Sequence, residues 1–161
     1  MSKPRTKSKA TPRRKKAALP TVAERLASAL RDFAAALDAT TRPSMIIGGI
    51  AAIARGVPRL TRDIDGTIAG EGTDLTKLLV IFSQHGIVPR IDDAVSFAMA
   101  NHVLLLRHSP TGTDIDLSLA WLSFELDAIR ASETVSLHGI RLRLPQPEDL
   151  VIYKLVAWRP Q

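Results

Sequence analysis

Apolar residues along this chain recur at two spacings, and the alternation between them divides it into elements. Over residues 21–39, Val22, Leu26, Leu30, Phe33 and Leu37 return every three or four positions, with Glu24, Arg25, Arg31 and Asp32 between them. This is the stripe of an amphipathic helix, and Thr21 after Pro20 suits its N-cap. "TRPS" interrupts it, and "MIIGG" reads as a short buried strand entering a glycine turn. "IAAIARG" follows as a short helix closed at Gly56, then residues 62–68 as a strand. "TDLTKLLVIFSQHG" restores the helical period between a cap at Thr73 or Asp74 and a stop at Gly86. After the connector "VPRIDD", a short helix is expected near residues 93–100. "HVLLLRH" and the alternating "TDIDLSLA" then flank the turn "SPTG" as an antiparallel hairpin. "SFELDAIRAS" is helical, "TVSLHGIRLRLP" a small hairpin about Gly139, and Pro147 opens a last helix in "PEDLVIYKLVAW". Helices and strands interleaved around hairpins define a mixed α/β (α+β) class with a small, only partly parallel sheet. No internal repeat is present.

Charge changes this picture at one end only. The net charge is +6, but residues 1–20 carry eight basic residues (Lys3, Arg5, Lys7, Lys9, Arg13, Arg14, Lys15 and Lys16) and no acid. The remainder holds 14 basic against 16 acidic residues. A segment rich in Lys, Arg, Pro and Ser cannot bury enough apolar surface to order itself, so residues 1–20 are expected to be a disordered basic tail and 21–161 one folded domain. The tail suits either an arm for nucleic-acid phosphates or a solubilising leader. No apolar segment follows it as in a secretory signal. With aromatics at 4%, the core must be aliphatic; with no cysteine, disulfides and thiolate metal sites are excluded. No apolar run approaches the roughly 20 residues of a membrane span.

The candidate chemistry lies in "TRDIDGTI" and "TDIDLSLA". Alternate side chains of a strand share a face, so Asp63, Asp65 and Thr67 point one way while Ile64 and Ile68 enter the core. Asp114, Asp116 and Ser118 likewise oppose Ile115, Leu117 and Leu119. If the two strands are neighbours, three or four carboxylates converge. Their repulsion is relieved by a hard divalent cation with oxygen ligands, Mg²⁺ above all. Exposed aspartates on a plain strand face are the alternative, disfavoured by the low strand propensity of Asp. Upstream, Gly48-Gly49 joins a strand to a helix start, where a backbone without Cβ atoms can approach a phosphate; tight packing explains two glycines equally well. Arg62 stands beside the aspartates as a candidate for neutralising phosphate. "DIDGT" also opens haloacid-dehalogenase-type phosphatases, but there the nucleophilic Asp ends a buried apolar strand, whereas "VPRLTR" precedes Asp63. His102 and His108 flank the "HVLLLRH" strand and read as structural or solvated.

Together, "IGGIAAIARGVPRLTRDIDGTI", "DIDLSLAW" and "LPQPEDLVIYKLVAWRP" resemble the motifs of the minimal nucleotidyltransferases of the polymerase-beta superfamily, in particular the AbiEii-type toxin group. The resemblance runs from about residue 44 to 161. It implies a polymerase-beta-like fold and transfer of an NMP from an NTP to a hydroxyl, with release of pyrophosphate. It further implies two Mg²⁺ ions on Asp63, Asp65 and Asp116, with Asp116 as third ligand and base and Asp114 its competitor for that role. Gly48 and Gly49 would contact the triphosphate. Lys154 is either a phosphate or nucleotide contact, as the resemblance has it, or a lysine snorkelling along an apolar stripe. The implied setting is cytoplasmic, with an RNA or tRNA acceptor and a protein antitoxin as partners and no membrane. A non-catalytic binding protein of the same fold is the rival reading. Members of the group continue beyond this Arg-Pro, so the chain ending at Gln161 is expected to be truncated or naturally minimal.

Overall fold

The computed structural model describes residues 19–156; most of the expected basic tail, and Trp158 of the segment expected to be the last helix, lie outside the described residues. Helix α1 (Val22–Ala39) begins at a capping box in which Thr21 and Glu24 satisfy each other's backbone N–H groups. It buries Ala29, Leu30, Phe33, Ala36 and Leu37, the face marked by the apolar spacing. There follow β1 (Ser44–Ile47), α2 (Gly48–Ala54), β2 (Ile64–Ala69), α3 (Leu75–Ser83), β3 (Ile87–Pro89), α4 (Ala94–Asn101), β4 (Val103–His108) and β5 (Thr113–Ala120). The chain continues as α5 (Ser123–Ala131), β6 (Glu133–Leu137), β7 (Ile140–Leu144) and α6 (Pro147–Val156). Asp74 caps α3, accepting from the N–H groups of Thr76 and Lys77 at 3.1 and 3.2 Å.

Five strands form one sheet in the order β1-β2-β5-β4-β3; only β2 and β5 run parallel. The expected small mixed sheet flanked by helices is therefore present. One strand was not expected: β3 lies in the segment read as a connector, three residues at the sheet edge and too short to show a period. The β6–β7 hairpin turns through His138 and Gly139, both at positive φ, and packs β7 against β1 and α1.

The two faces of the sheet are covered unequally. Ile64 and Ile68 of β2, Ile115 and Leu117 of β5, and Leu104 and Leu106 of β4 form one face, buried with residues of α1 and α3. On the other face, α5 covers Met45, Ile47 and Ala120 through Ala128 and Ile129, and Tyr153 of α6 packs there too. The rest of that face is open, and it carries the aspartates. His108 is structural: wholly buried, its Nε2 meets Asp32 Oδ2 at 2.9 Å and its Nδ1 meets Thr111 Oγ1 at 2.8 Å, tying α1 to the β4–β5 turn. His102, at the end of α4, stacks on Trp121. Among the described residues no helix is long and apolar enough to cross a membrane.

Candidate active site

The register places Asp65 of β2 directly beside Asp116 of β5. The same row runs on to Leu105 of β4 on one side and Ile47 of β1 on the other. In β5 the residues 113, 115 and 117 are buried while 114, 116 and 118 are half-exposed, so the alternation in "TDIDLSLA" appears as two faces. Asp65 and Asp116 thus share the open face. Asp63 stands in the bend one residue before β2, not within the strand as expected, and its carboxylate accepts a 2.9 Å hydrogen bond from Thr61 Oγ1. Thr67, expected on the same face as Asp65, is wholly buried: α5 and Tyr153 close over that end. The Thr67 and Tyr153 hydroxyls are buried there, and burial pushes the Tyr153 phenol well above its usual range, with the Thr67 hydroxyl opposing.

The glycine turn is part of this site for a reason of contact. Gly48 has φ +61°, and a Cβ placed there would stand 2.0 Å from Asp65 Oδ2. A Cβ on Gly49 would stand 2.6 Å from Thr61 Oγ1, the group that holds Asp63. Both glycines let the β1–α2 corner close on the residues that set the aspartates. Tight packing, one of the two sequence readings, is thereby met, and it packs the corner against the chemistry.

Burial is the largest cause pushing the Asp65 carboxyl up, to about 6, reinforced by the charges of Asp63 and Asp116; the Gly49 backbone N–H and Arg59 oppose it. Burial also raises Asp116, with Arg90 opposing and Asp63 and Asp114 adding to it. Asp114 is lowered, first by the hydrogen bond from Arg107 and then by Arg90. The expected crowding of like charges is real at Asp65. The expectation that the carboxylates are unpaired needs correction at Asp116 and Asp114. Arg90, just past β3, reaches Asp116 at 2.5 Å and Asp114 at 2.9 Å, and Arg107 holds Asp114 at 2.7 Å. Arg90 was not singled out from sequence, since a lone arginine in a connector carries no spacing to mark it; Arg59 entered only as part of the run "GVPRLT".

The remaining candidates lie farther out. Arg62 is exposed in the bend before β2, and Lys154 is exposed on α6, among the exposed Val151, Ile152 and Leu155. Among the described residues no hydrogen bond or ion pair joins either to Asp65 or Asp116. Helix α6 does pack against α2, so its neighbourhood is that of the glycine turn.

Can these residues hold a cation? The donors are carboxylate oxygens, with no thiolate or imidazole among them, which suits a hard divalent ion. A half-buried Asp65 under pressure from two like charges is what such an ion relieves. Among the described residues no three acidic or imidazole groups close tightly enough to enclose an ion unaided, and Arg90 already occupies one oxygen of Asp116. The donor set fits, with one oxygen of its third member paired to Arg90.

The raised Asp65 makes a stability prediction. Its folded-state value lies above the ordinary 3.8, so its charge costs stability above about pH 6, and the cost fades as pH falls from about 6 to 4. In chelator at pH 7.5, Asp65→Asn is expected to be more stable than wild type by about 1–2 kcal/mol, discounted for partial exposure. The gap should close by about pH 4. Thermal melts of both proteins across that range measure it, and a less stable Asp65→Asn at pH 7.5 would contradict the electrostatic account.

A central mixed sheet flanked by helices is the fold of solved nucleotidyltransferase structures. A Thermotoga maritima protein assigned as a nucleotidyltransferase superposes with a TM-score of 0.58 at 16% identity, covering 81% of this chain and 83% of that one. The antibiotic-resistance factor ANT(2″)-Ia matches in its solution structure with a TM-score of 0.57 at 22% identity, over 83% of this chain and 77% of that chain. Its crystal structure in complex with adenylyl-2″-tobramycin matches with a TM-score of 0.55 at 22% identity, over 83% and 82%. At these identities the likeness is one of fold. No family model matches the chain, and no curated protein sequence matches it.

Proposed function

We propose that this protein is a Mg²⁺-dependent nucleotidyltransferase that moves an NMP from an NTP to an acceptor hydroxyl and releases pyrophosphate. The observation that carries the reading is the in-register pair Asp65–Asp116 on the open sheet face, against which the Gly48–Gly49 corner closes. Asp63, Asp65 and Asp116 would hold the metal. When bound, it supplies charge to the attacking and leaving oxygens of the transfer. Asp116 accepts the acceptor hydroxyl's proton at a carboxylate oxygen. Gly48 and Gly49 would let the backbone approach the triphosphate, and Arg59, Arg62 and Lys154 would meet its charge. A phosphatase mechanism starting from Asp63 has less support, because Asp63 precedes β2 instead of ending a buried strand.

Two acceptor classes follow from different observations. The eight basic residues of the N-terminal tail favour an RNA, in keeping with the toxin-like motifs, for which a protein antitoxin would be the partner. The match to an aminoglycoside-bound structure favours a small polyhydroxylated amine. Labelled NTPs offered with total tRNA and with an aminoglycoside panel distinguish them. If RNA is the acceptor, deleting residues 1–16 should weaken RNA binding and flatten its dependence on salt, since each phosphate contact adds to the slope. Equal slopes with and without the tail would make it a passive leader.

A further inference from the structure

The positive charge nearest the third carboxylate comes from a strand two places away in the sheet. Arg90 lies one residue beyond β3, its backbone N–H donating to the Leu105 carbonyl at 3.0 Å. That puts it in the row Arg90–Leu105–Asp116–Asp65 running across the open face. Its guanidinium passes over β4 and ends between Asp114 and Asp116, with separate nitrogens on each: Nη1 to Asp114 Oδ2 and Nη2 to Asp116 Oδ1. Asp114 has a second cation in Arg107, whereas Asp116 has Arg90 alone among the described residues. The Arg90 side chain is only 22% exposed, against 42% for Asp116, so the pair is built into the sheet edge.

From this geometry we infer that Arg90 is a built-in counter-ion and positioning residue for Asp116: it occupies one carboxylate oxygen, fixes the rotamer so that the other faces Asp65, and competes with a divalent cation for the site. The inference rests on the nucleotidyltransferase reading for its catalytic half and on geometry alone for its electrostatic half. A planar guanidinium can bridge two carboxylates at fixed separation, which an ammonium cannot. Removing the arginine therefore does two opposite things. It leaves the aspartates less neutralised, so a cation binds more tightly. It also frees Asp116 to rotate, so the proton acceptor is lost from its place.

The test uses Mn²⁺ alone, titrated calorimetrically into wild type, Arg90→Gln and Arg90→Lys at low ionic strength, beside single-turnover transfer by the same proteins. Arg90→Gln is expected to bind Mn²⁺ about three- to tenfold more tightly, as removal of one nearby, partly screened charge implies. Its transfer should fall about a hundredfold, mainly in kcat. Arg90→Lys keeps the charge without the bridge, so it should bind Mn²⁺ within about twofold of wild type yet transfer clearly more slowly. A purely structural arginine would weaken metal binding and transfer together. Unchanged or weaker Mn²⁺ binding by folded Arg90→Gln, with wild type binding normally, would overturn the inference and leave the enzyme reading standing. Should Arg90→Gln not fold, transfer by Arg90→Lys at the wild-type rate would overturn it instead. Wild-type protein that binds no Mn²⁺ would overturn the metal reading itself, and the counter-ion role with it.

Discussion

Asp116→Ala is expected to lose transfer by at least about a thousandfold while its affinity for NTP changes little. A proton acceptor that acts at the attacking oxygen contributes mainly in the transition state, so its loss lowers kcat and leaves ground-state binding nearly intact. Asp114→Ala is the matched control. It lies two residues away on the same open face, but Arg107 and Arg90 both hold it, and these pairs keep its carboxylate low and engaged. Its loss should cost less than about tenfold, since Arg107 is half-exposed and Arg90 keeps Asp116 as its partner. Single-turnover transfer and NTP binding, measured on both variants, separate the roles. Retained transfer in Asp116→Ala with loss in Asp114→Ala would exchange the two assignments.

Gly48→Ala is expected to be the most damaging small substitution in the site. Two penalties combine there. The left-handed backbone at φ +61° disfavours any side chain, and a new Cβ would fall 2.0 Å from Asp65 Oδ2. Either the corner opens or the carboxylate moves, so about 2–4 kcal/mol of stability should go together with the response to Mn²⁺. Gly56→Ala isolates the first penalty: it has φ +89° but nothing within 4 Å of a new Cβ. That variant should lose only about 1–2 kcal/mol and keep both Mn²⁺ binding and transfer. Melts with and without Mn²⁺ decide the matter. Equal loss of the metal response in both variants would show that backbone strain, not the contact with Asp65, couples the glycine corner to the site.

Much of this site was legible in the sequence because it is written in strand alternation. In "TDIDLSLA" the period of two separates Asp114, Asp116 and Ser118 from the buried Ile115, Leu117 and Leu119, and β5 keeps that division along its length. Ile64 and Ile68 entered the core as the same rule requires. What alternation cannot express is what lies on top of a face. Thr67 has the parity of Asp65, yet α5 and Tyr153 cover it, and that covering is set by helices more than fifty residues later. Nor does alternation reach past a strand's end, which is why Asp63 was placed in a strand that begins only at Ile64. Arg90 was missed for a third reason. Three residues of edge strand have no period to detect, and the partners of Arg90 lie 24 and 26 positions downstream. Local pattern recovered the elements and their faces; the charge balance of the site came from pairing across the sheet.

The central claim is that the Asp65–Asp116 pair transfers a nucleotide, and one measurement addresses it directly. Purified protein at catalytic-site excess is incubated with Mg²⁺ and each NTP labelled at the α-phosphate, with total tRNA in one arm and an aminoglycoside panel in the other, and label on the acceptor is followed together with pyrophosphate. The account predicts α-label on one acceptor class, with an equal amount of pyrophosphate released, in wild type and not in Asp116→Ala. Release of inorganic phosphate with no label transferred, or transfer that persists undiminished in Asp116→Ala, would contradict it.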